Sequence, residues 1–218
     1  MASRGISSIL TLLLTLCCFL PTVGQQLHEG DLLFCCTDST NAITAVTSGV
    51  GNMPIDHVAV VHRIGGDTGV FYVIEAIKPE VCLTPLDSFL TDNHHVILGR
   101  VNVDVDYSTS IKRCLSMVGK PYDDLYLPGD SAIYCSELVQ QNYVTPDGNL
   151  VFDPIPMSFH DATGQITDYW QEFYESRGMA VPEGAPGSNP GELSRRPQVT
   201  IIGTLILEDR EIVLRTGQ

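Results

Sequence analysis

Between Asp56 and Ala76 the chain has little choice but to form a β-hairpin. Asp56-His-Val-Ala-Val-Val-His62 and Val70-Phe-Tyr-Val-Ile-Glu-Ala76 are dense in β-branched and aromatic residues, and Gly65-Gly66-Asp67-Thr68-Gly69 separates them. Such side chains suit a pleated, half-buried surface, and the glycines supply the backbone freedom of a tight reversal. The hairpin brings residues far apart in sequence onto neighbouring strands, so it decides what can meet what.

Other elements group around it. Gly30-Asp-Leu-Leu-Phe34 reads as a turn feeding an apolar strand, and His95 to Val105 as a further strand. Thr40 to Ser48 is expected as a short helix, 49–54 as a loop, and Leu83 to Leu90 as a helical turn. Tyr107 to Val118 has helical spacing, with Ile111, Leu115 and Val118 on one face. A helix that starts near Cys135 ends near Tyr143, and Ile166 to Ser176 reads as an aromatic-rich helix. Pro146 to Pro156 and Pro182 to Pro197 read as irregular segments, and Val199 to Leu214 as a hairpin around Glu208-Asp209. Helices interleaved with antiparallel strands predict an α+β domain.

The first 24 residues stand apart. Arg4, the apolar run Ile9 to Leu20 and the small-residue pattern Thr22-Val23-Gly24 predict a secretory signal peptide, residues 1–24, followed by one domain over 25–218. The run is short for a membrane span, so no transmembrane segment is expected after cleavage. Lipoprotein anchoring through Cys17 is the weaker alternative, because bulky Leu16 precedes that cysteine. The expected location is secreted, periplasmic or cell-envelope.

Five cysteines remain after such a cleavage: Cys35, Cys36, Cys82, Cys114 and Cys135. The odd number leaves at least one thiol outside any intramolecular disulfide. No Cys-x-x-Cys pair is present, and neither a metal nor a cofactor is expected. A formal net charge of −14 argues against nucleic acid and anionic membrane surfaces as partners.

Cys135 falls in the first turn of its expected helix. Partial positive charge and free N–H groups at a helix N-terminus favour a thiolate, the form that attacks carbonyls. A nucleophile needs a base, and the base an orienting partner. His57 lies nine residues before Gly66 and Glu75 nine after it, so a hairpin turning near Gly66 sets an imidazole beside a carboxylate. Cys135, His57 and Glu75 form a candidate nucleophile, base and orienting group.

At these residues the chain resembles the permuted papain-like amidases and peptidases of the NlpC superfamily, the YiiX/YaeF-like branch. The resemblance is carried by Gly30-Asp-Leu-Leu-Phe34, Asp56-His-Val-Ala59, Val73-Ile-Glu-Ala76, Gly119-Lys-Pro-Tyr-Asp123, Tyr134-Cys-Ser-Glu-Leu-Val139 and the tail Pro182 to Leu193. It runs from about Leu27 to about Gly203. It implies a papain-like fold, circularly permuted, with a central antiparallel sheet packed on helices. The permutation explains why the histidine precedes the cysteine. The resemblance further implies that Cys135 attacks, His57 acts as base and acid, and Glu75 orients it, with backbone N–H at the start of the Cys135 helix meeting the oxyanion. Tyr122 and Tyr134 are expected as substrate-binding pocket walls, with core packing equally weighted.

The implied activity is hydrolysis of an amide or isopeptide bond in a peptide or amino-acid amide, peptidoglycan fragments included. A lipid acyltransferase or thioesterase using the same Cys–His pair is the alternative; a catalytically silent binding module is the third reading. Asp31 reads as structural at the strand start, and Asp56 as similar. His62 and His94-His95 read as ordinary surface or strand histidines, Trp170 and Phe173 as helix packing. The hairpin at 199–214 is expected as an added sheet edge, a lid or an oligomer contact.

Overall fold

A computed structural model describes residues 27–66, 69–129, 131–209 and 211–216; the expected signal peptide lies outside them. The described strands begin with β1 (Leu32–Cys36), β2 (Ile55–Ile64), β3 (Val70–Ala76), β4 (Val81–Pro85) and β5 (Val96–Val101). Toward the C-terminus come the two-residue strands β6 (Ile155–Pro156) and β7 (Pro186–Gly187), then β8 (Val199–Glu208) and β9 (Glu211–Arg215). The helices are α1 (Leu86–Asp92), α2 (Tyr107–Ser116), α3 (Cys135–Asn142), α4 (Asp168–Glu175) and α5 (Pro190–Ser194). Seven strands form one sheet in the order β4-β3-β2-β1-β5-β8-β9, with every neighbouring pair antiparallel.

The sheet is covered on both faces, which explains its near-continuous apolar central strands. Alternate residues of a strand point to opposite faces. Leu32, Phe34, Val58, Val60 and Ile74 pack with Ile111 of α2 and Cys135, Leu138 and Val139 of α3. Leu33, Cys35, Ala59, Val61 and Val73 pack on the other face with Leu86, Phe89 and Leu90 of α1. A third cluster, Met157, Phe159, Trp170 and Tyr174, with Ala42, Ile43 and Val46 against it, lies apart from the sheet.

The segment 42–46 is a turn rather than a helix. Asn41 Oδ1 accepts from the N–H groups of Ile43 and Thr44 at 3.0 Å, closing one turn before Gly49 and the 3₁₀ turn at Val50–Asn52 end it. The 182–197 segment holds α5, where Asn189 Oδ1 caps the N–H groups of Gly191 and Glu192 and Pro190 fits the first turn. The C-terminal hairpin joins the sheet at one edge: β8 pairs with β5, and β9 takes the outside position.

Asp31 is structural, as its sequence position suggests. It is 1% exposed and receives Arg100 through two hydrogen bonds of 2.7 Å, while the His28 N–H donates to Oδ2 at 2.8 Å. Beside it, Gly30 has φ +76°, and a Cβ there would stand 2.4 Å from Cδ1 of Tyr107. The Gly30 carbonyl accepts from the Tyr143 hydroxyl at 2.8 Å, tying the residue after α3 to the start of β1. Asp31→Ala removes two hydrogen bonds from a partly buried guanidinium, and denaturant unfolding is expected to show a loss of about 3 kcal/mol.

Candidate functional site

His57 and Glu75 meet, but not as directly opposed residues. The β2–β3 register pairs Val60 with Ile74 and Val61 with Val73, so the hairpin is centred one residue later than Gly66. Continuing that register sets Glu75 opposite Ala59, making His57 and Glu75 diagonal neighbours on one face. His57 Nε2 and Glu75 Oε2 are 2.9 Å apart. This bond leaves Nδ1 as the ring nitrogen for the thiol.

Cys135 comes from the opposite layer, on α3. Its side chain lies near enough to His57 to raise the pKa of that imidazole, while its own surroundings are the apolar cluster under α3. A register break helps the two layers meet. Cys35 pairs with His57 but Cys36 pairs with Ile55, leaving Asp56 as an extra residue on β2. A bulge interrupts strict alternation and re-aims side chains. Accordingly Asp56 lines the same cleft as Cys135.

Charge is balanced locally. Burial by itself would depress the His57 pKa, yet hydrogen bonds to Cys135 and Glu75, with their charges, raise it from 6.5 to about 10. His57 is therefore an imidazolium at neutral pH. Glu75 is 4% exposed, and its second oxygen, Oε1, accepts from Thr84 Oγ1 at 2.5 Å. Both carboxylate oxygens are thus occupied, as burial of a charge requires.

The α3 N-terminus is available for chemistry. The Tyr134 side chain makes no capping hydrogen bond, and the first intrahelical N–H bond runs from Leu138 to the Tyr134 carbonyl. The N–H groups before Leu138 are the orphan donors of a helix start. The Tyr134 hydroxyl instead accepts from Ser188 N–H at 2.9 Å, and Ser188 Oγ bonds Ser136 Oγ at 3.0 Å. A Cβ at Gly187 would stand 2.8 Å from that hydroxyl, so the wall is closely packed there.

The cleft in front of Cys135 is narrow, with an interior of about 30 Å³, and is walled by Ile43, Tyr122, Tyr126, Tyr134, Phe159 and Trp170, among others. Such a space holds a slim group, on the scale of a water molecule or a chain in cross-section. Tyr122 and Tyr134 are both walls. Burial raises the pKa of each, for Tyr122 reinforced by the charge of Cys135 and a 3.4 Å contact with the Tyr126 hydroxyl, so both phenols stay protonated. Trp170 packs on Phe159 and donates to the Ala42 carbonyl at 3.1 Å, yet it also faces the cleft.

Thr84 is not legible as a site residue, because Leu83 to Leu90 reads as a helical turn and hides the end of β4. The alternation in Val81-Cys-Leu-Thr-Pro85 is the signal for a third meander strand. Elsewhere among the described residues, His160 Nδ1 stands 3.2 Å from both Glu183 Oε1 and Ser158 Oγ. His62 pairs with Glu29 at 2.6 Å, and His94 and His95 are exposed. All five described cysteines are free, with Cys35 and Cys114 buried in the core like Cys135. Asp56 ties the 42–46 turn to β2 by accepting from Asn41 Nδ2 at 2.6 Å.

The comparisons with known proteins agree with this architecture. The family described as "Permuted papain-like amidase enzyme, YaeF/YiiX, C92 family" matches residues 26–203. Among the solved structures that match is the metalloprotein yiiX from Escherichia coli O157:H7, with TM-score 0.65 and 22% identity over 80% of this chain and 96% of that one. No curated protein matches the chain. Among the described residues no group of three or more His, Cys, Asp or Glu side chains is arranged to hold a metal ion.

The raised His57 pKa carries a pH dependence. The folded value exceeds the unfolded one, so its contribution to stability is complete below about pH 6.5 and is lost as pH rises through about 10. Nitrogen NMR of the His57 ring is expected to show an imidazolium at pH 8 that titrates near 10, and Glu75→Gln is expected to lower that midpoint. A wild-type midpoint near 6.5 would contradict the paired arrangement.

Proposed function

Because the chain belongs to the family of permuted papain-like amidases, cysteine hydrolases, we propose that Cys135, His57 and Glu75 are its catalytic triad and that it cleaves an amide or isopeptide bond. The observation that carries this reading is the chain of contacts from Cys135 through His57 to Glu75, set at an uncapped helix start facing a cleft.

The cycle follows from the groups present. The Cys135 thiolate attacks the carbonyl carbon, and the carbonyl π electrons move to oxygen. That oxyanion lies against the orphan N–H groups at the start of α3, with the protonated Tyr122 hydroxyl as candidate second donor. The intermediate collapses, the C–N bond breaks, and the His57 imidazolium passes its proton to the departing amine. A thioester on Cys135 and a neutral imidazole remain. Imidazole then takes a proton from water as the water oxygen attacks the thioester. Collapse releases the carboxylic acid and restores the thiolate–imidazolium pair. Glu75 holds the ring with Nε2 committed and stabilises its charge throughout.

Peptide or amino-acid amides, with cell-wall peptides foremost, are the substrates we assign to this site. The apolar segment at 9–20 supports an exported protein acting at the cell envelope or beyond it. The narrow, largely apolar cleft favours a second reading, transfer or hydrolysis of a lipid acyl group through the same thioester.

Mass spectrometry after incubation with peptidoglycan fragments is expected to reveal a newly freed amine, absent with Cys135→Ala. Accumulation of a fatty-acyl adduct on Cys135 from a lipid panel, without amine release, would favour the second reading. His57→Ala is expected to lower the turnover of the active substrate by roughly 10²–10⁴-fold. Glu75→Gln should cost less, since it keeps the shape and loses the charge.

A further inference from the structure

We propose that Thr84 is a positioning residue for this site, the fourth member of a hydrogen-bonded chain that fixes the carboxylate of Glu75 and through it the ring of His57; this rests on the triad assignment above. Thr84 is on β4, the edge strand beside β3, and its hydroxyl bonds Glu75 Oε1 at 2.5 Å. Glu75 Oε2 bonds His57 at 2.9 Å, so the two carboxylate oxygens are clamped from opposite sides.

The direction of the protons is fixed by chemistry. An ionised carboxylate only accepts, so the Thr84 hydroxyl must spend its single proton on Glu75. Its lone pairs are then left to accept. Cys82 Sγ stands 3.6 Å from that hydroxyl, on the same face and directly opposite Glu75 across the β3–β4 ladder. Cys82 is the donor in that contact. Burial raises its pKa, the contact with Thr84 opposes that in part, and Glu75 and Glu80 add to the rise, so the thiol stays protonated. Cys82 thus donates to Thr84 and Thr84 to Glu75, while the His57 Nε2–H donates to the other carboxylate oxygen, so the protons converge on Glu75 from both sides.

A carboxylate held at one oxygen can rotate about its last torsion, which is broad for Glu. Held at both, it presents Oε2 to the imidazole in one orientation. Thr84 thus acts on the thiolate–imidazolium balance without touching a substrate. Phe89 of α1, which follows β4 directly, packs its ring 6.4 Å from the His57 ring, so the same short segment supports two members of the site.

The test needs no substrate. The rate of Cys135 alkylation by iodoacetamide is followed against pH in the intact protein, with the modified residue located by peptide mass spectrometry. Thr84→Val keeps the shape and removes the hydroxyl. It is expected to move the alkylation midpoint to higher pH and to slow alkylation at pH 7 by roughly ten- to a hundredfold, the scale of a lost hydrogen bond to a charge. Thr84→Ser is expected to restore the wild-type midpoint; Thr84→Ala stands in where the valine variant does not fold. A midpoint unchanged in a folded Thr84→Val protein, with only its melting temperature lowered, would reduce Thr84 to a structural residue and overturn the proposal. Wild-type Cys135 reacting no faster than Cys36 and Cys82 would overturn the triad assignment first, and this proposal with it.

Discussion

Glu75 has to be held at both oxygens, and much of the surrounding structure serves that need. A carboxylate this deeply buried is costly unless each oxygen is met. One is met by His57 from β2 and the other by Thr84 from β4, so three consecutive strands converge on a single charge. The same bond that satisfies Glu75 fixes which nitrogen of His57 is free. Cys135 approaches that ring from the start of α3. The tie from the Tyr143 hydroxyl to the Gly30 carbonyl secures the far end of that helix.

The site draws on both layers of the fold. His57, Glu75 and Thr84 share the face covered by α1, whereas Cys135 arrives from the face covered by α2 and α3. Ordinary alternation would keep neighbouring residues of β2 on opposite faces. The bulge at Asp56 relaxes that rule where the layers meet. The cleft is completed by a third cluster, whose aromatic rings brace one another edge to face while presenting a wall to Cys135. A wall of interlocked rings is stiff, and it keeps the entrance narrow.

Several features were plain in the chain itself. The hairpin between Asp56 and Ala76 follows from β-branched runs around a glycine-rich turn, and helices at 107–116 and 135–142 from periodicity. Local patterns were less informative where order comes from packing. The turn at 42–46 was read as a helix because its apolar spacing is helical, yet Asn41 caps it and Gly49 follows. Helix α5 was missed because a segment rich in Gly and Pro carries little periodicity. Strand β4 was merged with α1, and Thr84 was lost with it.

The sequence by itself determined the meeting of His57 and Glu75, because a hairpin is a local device and its turn sets which residues are near. It also determined the helix start that carries Cys135. Only the tertiary structure decided that the meeting is diagonal, that Thr84 closes the other side of the carboxylate, and that His57 is held as an imidazolium. Those depend on strand register, on a bulge and on burial, which arise when separate segments pack and leave no mark on any one of them.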